Sequence, residues 1–484
     1  MRKYRIQSII LCSLLLLGLS TPLFAFTYYM PEGYVADGVD EFVAILNSSD
    51  KTAKGEVKIY YEDGTKSSFP VQFLPKQRSG VTLKDNGVKL NKAFSTLIDT
   101  DQDITATLIH YDHGTALGAN FTKVKDSMWS IAGGGPASNT RDYLSIFNPN
   151  DFKVDVELSV AGRYPLPKKF KFTIEKERRY SFAVHEFLTD ENVRNKIYGL
   201  MLFAKKSSNT SQSADIVVAL SHYDDSLKDG ILTIATPGAD TTLDSSLHTY
   251  GHPTGFVAEG WANDQAFEYV NILNPNQTFP IKLKLTVQYN DGITETQEVN
   301  YINSNERVAY KISDHVRKNK GYMLKYEAVS SYSSWPKPCV PGKTPPCNGD
   351  PVNAVVNFSH FDNSGLNGVE FKSKGSKKWE IAEGYRKPGQ VREYLLIYNP
   401  SGTDANVKVT FTYDDAQLPT VVNLLVEAGK KNGLALHEKN PPLRDRDGGI
   451  WYGINIDSDV EIIPYFTHYD LNFGGSFALA GSEK

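Results

Sequence analysis

Cysteine is nearly missing from this chain: three in 484 residues, one of them, Cys12, inside an N-terminal apolar run. That leaves two for the body of the protein and at most one disulfide within it. Methionine is as scarce, at five. An excess of either charge is also lacking, with 52 Lys plus Arg against 56 Asp plus Glu, so no basic field marks a nucleic-acid binder or a membrane-surface protein. After the first 25 residues no apolar run is long enough to span a bilayer. The composition likewise excludes a collagen and a coiled coil. What is plentiful is aromatic, 27 Tyr and 24 Phe in a chain 40% hydrophobic and 22% charged. That is a folded composition, and one that favours strands, because rings pack well on a pleated surface.

Residues Met1 to Ala25 follow the three-part plan of a secretory signal peptide. Arg2, Lys3 and Arg5 are the basic start, Ile9 to Leu19 the apolar run, Ser20-Thr21-Pro22 the break and Ala25 the small residue for cleavage. The run is about half the roughly 20 residues of a spanning helix, which weighs against a retained anchor. Cleavage removes three positive charges and no negative ones, taking the formal charge from −4 to −7. Cys12 would leave with the signal, and Ile9-Ile10-Leu11 before it lacks the small residue of a lipoprotein site. In an exported chain Cys339 and Cys347, joined by a Pro/Gly-rich turn, are expected to form one disulfide. The metal alternative wants further ligands, and no His lies nearby in the sequence. The C-terminus carries no hydrophobic anchor. The expected location is secreted, periplasmic or on the cell surface, with no transmembrane segment after signal cleavage.

Four segments share one register. The openings are Pro31-Glu32-Gly33, Ala132-Gly133-Gly134, Ala258-Glu259-Gly260 and Ala382-Glu383-Gly384. Each leads to a strand ending in Asn: Glu41 to Asn47, Asp142 to Asn148, Glu268 to Asn274 and Glu393 to Asn399. Each closes on His-aromatic-Asp: His110-Tyr111-Asp112, His222-Tyr223-Asp224, His360-Phe361-Asp362 and His468-Tyr469-Asp470. The units run 27–129, 130–250, 251–378 and 379–484, each large enough for its own core. The third carries a Pro/Ser/Gly-rich insertion, 330–351, with both remaining cysteines, and the link near Gly238 to Pro253 reads as a hinge.

Period-2 patterns predict half-buried antiparallel strands, with Val43 and Ile45, Leu144 and Ile146, Val270 and Ile272, and Leu395 and Ile397 on one face. Asp63-Gly64 and Asp291-Gly292 predict tight reversals. About seven short strands per unit, with helical turns near Phe182 to Asn192 and Ile312 to Lys318, predict an all-β chain of four tandem immunoglobulin-like antiparallel β-sandwich domains. A four-bladed propeller is the alternative, disfavoured because the units exceed the usual blade of about 40–50 residues. The Tyr-Leu-x-Ile-x-Asn-Pro strand followed by a Tyr-x-Asp-Gly turn resembles uncharacterised β-sandwich repeat modules of exported bacterial proteins. That resemblance implies a sandwich module and no activity; Ala161-Gly162 departs from its turn pattern.

The candidate site residues are the four His-aromatic-Asp corners: His110 and Asp112, His222 and Asp224, His360 and Asp362, His468 and Asp470. Imidazole beside carboxylate suits a metal or an acid–base pair. Four copies favour a structural corner instead, with His at the core edge and Asp capping the following turn. The strand-end residues Asn47, Asn148, Asn274 and Asn399 are expected to bond backbone. Calcium is the one cofactor entertained, at the Glu-Gly openings or at Asp224, Asp225 and Asp229, although no Asp-x-Asp-x-Asp-Gly loop is present. Trp129, Trp261, Trp335, Trp379 and Trp451 read as core and joint fillers, with sugar stacking as the alternative. No nucleophile elbow, zinc-protease motif or phosphate or dinucleotide loop occurs. The functional expectation is an exported, non-catalytic protein for adhesion, scaffolding or assembly, with a protein or glycan partner or self-association. A carbohydrate- or calcium-binding array is the alternative, and a secreted hydrolase a third reading.

Overall fold

The computed structural model describes residues 24–484 except 113, 135–138, 163–167, 188–196, 239–249, 333–345, 363–364, 416 and 473. Residues 1–23, Trp335 and Cys339 thus lie outside the described residues. The chain is all-β, and one two-sheet plan recurs along it. In the first repeat the strands are β1 (Phe26–Met30), β2 (Tyr34–Val35), β3 (Val39–Asn47), β4 (Ala53–Tyr61), β5 (Lys66–Phe73), β6 (Gln77–Thr82), β7 (Lys92–Thr100), β8 (Thr105–Asp112) and β9 (Thr115–Asn120). One sheet runs β1-β7-β4-β5 and the other β6-β3-β8-β9, all antiparallel. The second and third repeats reproduce both orders. In the fourth, the 21-residue strand Ile450–Asp470 serves both sheets and merges them.

Local sequence explains these elements. Along β4 every second residue is buried, as alternation demands of a strand with one face on a core. Asp63-Gly64 and Asp291-Gly292 reverse the chain with glycine φ of 86° and 84°, which only glycine adopts freely. A helical turn, Val184–Phe187, and a 3-10 turn, Ile312–Asp314, lie where helical turns were expected. The immunoglobulin likeness stops at the sandwich. An immunoglobulin sheet places its first strand beside its second, whereas here β1 pairs with β7 and β8 with β3.

The repeats are not beads. The strands β9, Asp229–Ile234, Gly365–Glu370 and Ser476–Ala480, one from each repeat, pack around a common centre, each against the next and the last against β9. Gly118 and Gly368 allow this approach, since a Cβ there would collide with Phe477 and Ile231 respectively. The apolar cores run through the junctions. Tyr29 and Leu97 join the core of the second repeat, Tyr398, Ile463 and Tyr465 that of the third, and Ile109 and Ala116 that of the fourth. Ring closure between the first and fourth repeats adds Asn120 donating to the Ala480 carbonyl at 2.7 Å and Thr105 donating to Glu380 at 2.6 Å. This has the pseudo-fourfold layout of a propeller, with two-sheet sandwiches in place of single-sheet blades. Most of the link read as a hinge, 239–249, lies outside the described residues; at its ends the Gly238 amide donates to the Met128 carbonyl at 2.8 Å, and Tyr250 is buried.

Candidate functional site

Antiparallel pairing sets each motif histidine directly across from the acid that opens the Asn-ended strand: His110 from Glu41, His222 from Asp142, His360 from Glu268 and His468 from Glu393. Each imidazole Nδ1 bonds that carboxylate, at 2.9, 2.5, 2.9 and 2.8 Å. The second carboxylate oxygen accepts a buried tyrosine hydroxyl, Tyr198 on Asp142, Tyr322 on Glu268 and Tyr452 on Glu393. The glycine of each opening makes room for that ring, since a Cβ at Gly134, Gly260 or Gly384 would strike Tyr198, Tyr322 or Tyr452. In the first repeat Gly33 faces Phe94 instead, and Glu41 Oε2 is buried with no hydrogen-bond partner among the described residues.

These groups are locked. Burial opposes charge on the rings, but carboxylates override it and raise all four histidines: the facing acid does so for His110, His222 and His468, and Asp362 ahead of the facing Glu268 for His360, which rises to about 10. Burial raises Glu41. The motif aspartates play other parts. Asp224 Oδ1 caps its turn through the amides of Ser226 and Leu227, and Asp470 accepts the Asn472 amide. Asp362 lies 3.4 Å from His360 Nε2, and Asp112 is half-buried at the end of β8. The acidic loop disperses: Asp225 pairs with Arg141 at 2.8 Å, while Asp229 turns to the ring centre. There its Oδ2 accepts from the Leu366 amide at 2.7 Å and from Ser476 at 3.0 and 3.1 Å. Among the described residues no three His, Cys, Asp or Glu are grouped to hold a metal.

The four asparagines are fully buried, with each side-chain amide donating to backbone carbonyls and each carbonyl oxygen accepting from the residue two positions on. Asn47, for example, donates to Lys51, Phe73 and Leu74 and accepts from Ser49. Asn148, Asn274 and Asn399 repeat the pattern. Trp129 and Trp379 are buried and donate to carbonyls of Ile216 and Ile462. Cys347 is buried, its amide bonded to Asp350 at 2.8 Å; the pairing with Cys339 concerns a residue outside those described.

The Glu-Gly openings, read from sequence as candidate calcium ligands, are junction pieces. Glu32 takes Arg179 of the second repeat at 3.2 Å, and Glu383 takes Arg78 of the first at 2.6 Å. Arg307 of the third repeat donates to the Ala132 carbonyl at 2.9 Å. Lys431 holds the same position in the fourth, donating to the Ala258 and Tyr322 carbonyls at 2.8 and 2.7 Å. Burial lowers Lys431 to about 8. This last junction holds a cleft of about 890 Å³ lined by Glu259, Trp261, His360, Arg392, Tyr394 and Lys431, among others. Sequence reading missed the paired acids, the tyrosines and this cleft. The acid that opens all four Asn-ended strands was the available signal for the first of these.

No family model matches the chain, and no curated protein does. A crystal structure described as Thermotoga maritima 1070 is similar over 21% of this chain and 97% of its own, at 21% identity and a TM-score of 0.20. A Streptomyces avermitilis alpha-L-rhamnosidase complexed with L-rhamnose aligns over 88% of this chain at 9% identity and a TM-score of 0.13. The aligned region spans about half of that enzyme, 54%.

Proposed function

We propose that this is an exported, non-catalytic protein that works by contact, as a rigid platform for adhesion, scaffolding or assembly on or outside the cell envelope. The observation that carries the reading is ring closure. Arg78 and Glu383 lie 305 residues apart and meet buried, at 2% and 1% side-chain exposure. Such a body offers four sandwich surfaces in fixed relative orientation, so linked weak contacts gain from one another. A closed ring supplies avidity rather than the reach of an extended rod. The histidine corners support the same reading, because their imidazoles and carboxylates are engaged in holding strands together. Solvent-facing edge strands such as Thr420–Val426, with Val421 and Leu425 exposed, are surfaces on which a partner strand could add.

Protease shaving of intact cells, followed by fractionation and immunodetection, tests this. Loss of signal from intact cells places the protein at the surface and supports adhesion or scaffolding. Protection until the envelope is opened supports a periplasmic assembly role. Retention in the cytoplasm, with the leader uncleaved, refutes the proposal.

A further inference from the structure

We infer that the cleft between the third and fourth repeats binds a short saccharide bearing a carboxylate. This deepens the contact reading above and rests on it only for where such a glycan would be met.

The repeats supply their own controls, because the equivalent place is filled at two of the other three junctions and smaller at the third. At the fourth–first junction Trp451 packs 4.1 Å from the Tyr385 ring and 5.5 Å from Phe42, with the Arg78 guanidinium 4.7 Å over its face. At the first–second junction Glu62 crosses over, accepting from Ser181 at 2.8 Å and from Arg179 at 3.4 Å. In the third repeat both plugs are gone. The residue preceding the corner tyrosine is Trp451 in the fourth repeat and Gly321 in the third. The residue following the strand-end tyrosine is Glu62 in the first repeat and Asn290 in the third, and the Asn290 side chain has no hydrogen-bond partner among the described residues. Lysine also replaces the arginine of the other three repeats at Lys431. The result is about 890 Å³, against about 350 Å³ at the equivalent place between the second and third repeats, both within the range of about 300–1,000 Å³ usual for small-ligand sites.

The lining specifies the ligand. Trp261 is 42% exposed at this cleft and offers an indole face on which the C–H face of a pyranose can stack. Asn290 supplies both a donor and an acceptor for hydroxyl groups. The other cations are engaged: Lys430 with Glu427 at 2.5 Å, His360 with Glu268, and Lys431 with two carbonyls. Arg392 is exposed, and its guanidinium has no ion pair or hydrogen bond among the described residues. Its planar fork of donors matches a carboxylate. An aromatic platform with hydrogen-bonding amides and one spare guanidinium is what an acidic sugar requires.

The test is calorimetric titration of the full mature chain with disaccharides containing galacturonate, glucuronate or mannuronate, each beside its neutral counterpart. At least one acidic disaccharide should bind saturably at 1:1, tenfold or more tighter than its neutral partner. Trp261→Ala should weaken binding at least tenfold, and Arg392→Gln should bring acidic and neutral affinities together. Both residues are exposed, so the melting temperature should hold. Gly321→Trp, which rebuilds the fourth repeat's plug, should abolish binding. No saturable binding by any acidic disaccharide, or binding indifferent to Trp261→Ala and Gly321→Trp, overturns the site. Equal affinity for neutral and acidic sugars overturns the carboxylate. A cytoplasmic location in the shaving experiment would overturn the contact reading and leave these affinities untouched.

Discussion

Phe94→Tyr should stabilise the protein. In three repeats the corner acid receives a tyrosine hydroxyl on its second oxygen, while in the first Phe94 occupies that place and leaves Glu41 Oε2 buried without a donor among the described residues. A buried acceptor left unpaired costs about 1–3 kcal/mol, and a hydrogen bond to a charged group contributes about 1.5–3 kcal/mol. Part of that gain is offset by desolvating the new hydroxyl, so the expected stabilisation is about 1–2 kcal/mol. The ring itself needs no new space, because Gly33 already accommodates the Phe94 edge as Gly384 accommodates Tyr452. Equilibrium unfolding in urea measures the effect, as a higher midpoint at an unchanged slope. A double-mutant cycle with Glu41→Gln isolates the pair and should show a coupling of about 1 kcal/mol or more. Tyr452→Phe should do the reverse in the fourth repeat. If Phe94→Tyr is neutral or destabilising while Tyr452→Phe is costly, the corners are not equivalent and the reasoning fails.

Other perturbations follow from the junctions. Arg78→Met strands the Glu383 carboxylate in the fourth–first interface and should cost about 3–5 kcal/mol, with Arg78→Met/Glu383→Leu recovering most of it in urea unfolding. Burial at the ring centre lifts Asp229 to about 7. A carboxyl raised above its unfolded value favours folding below about pH 4 and loses that contribution as pH climbs to about 7, up to about 4 kcal/mol. Relative to wild type, Asp229→Asn should therefore gain stability between pH 4 and 7 in parallel thermal melts; a constant difference across that window would contradict this. Deleting 331–350 should spare folding, read by circular dichroism, and weaken capture of an envelope partner; unchanged capture would argue against the insertion as a contact element.

Much of the fold was legible because its signals are local. Alternation placed Val43 and Ile45 on the core face of β3, Asp-Gly placed the hairpins, and the strand-end Asn announced a residue that bonds backbone. What escaped was long-range. Nothing in Pro31-Glu32-Gly33 says that its acid meets Arg179, because that partner is fixed only once neighbouring sandwiches dock. The histidines were found and read as core-edge residues beside turn-capping aspartates, but the acids facing them across the ladder were not named. Neighbours along a strand point to opposite faces and residues two apart share one, whereas the closest contact is directly across the ladder. Glu41, Asp142, Glu268 and Glu393 occupy those cross-strand positions. The cleft was invisible for a related reason: it exists because Gly321 stands where the fourth repeat has Trp451, a comparison that needs the junction geometry.

Ring closure is the central claim, and small-angle X-ray scattering of residues 26–484 tests it most directly. A single compact body of this length has a radius of gyration of about 23 Å. Four separate sandwiches in a row, each about 13 Å in radius of gyration, would give roughly 40 Å. A value near the first, with a bell-shaped distance distribution, is the predicted result; a value near the second, with an extended tail, would contradict it.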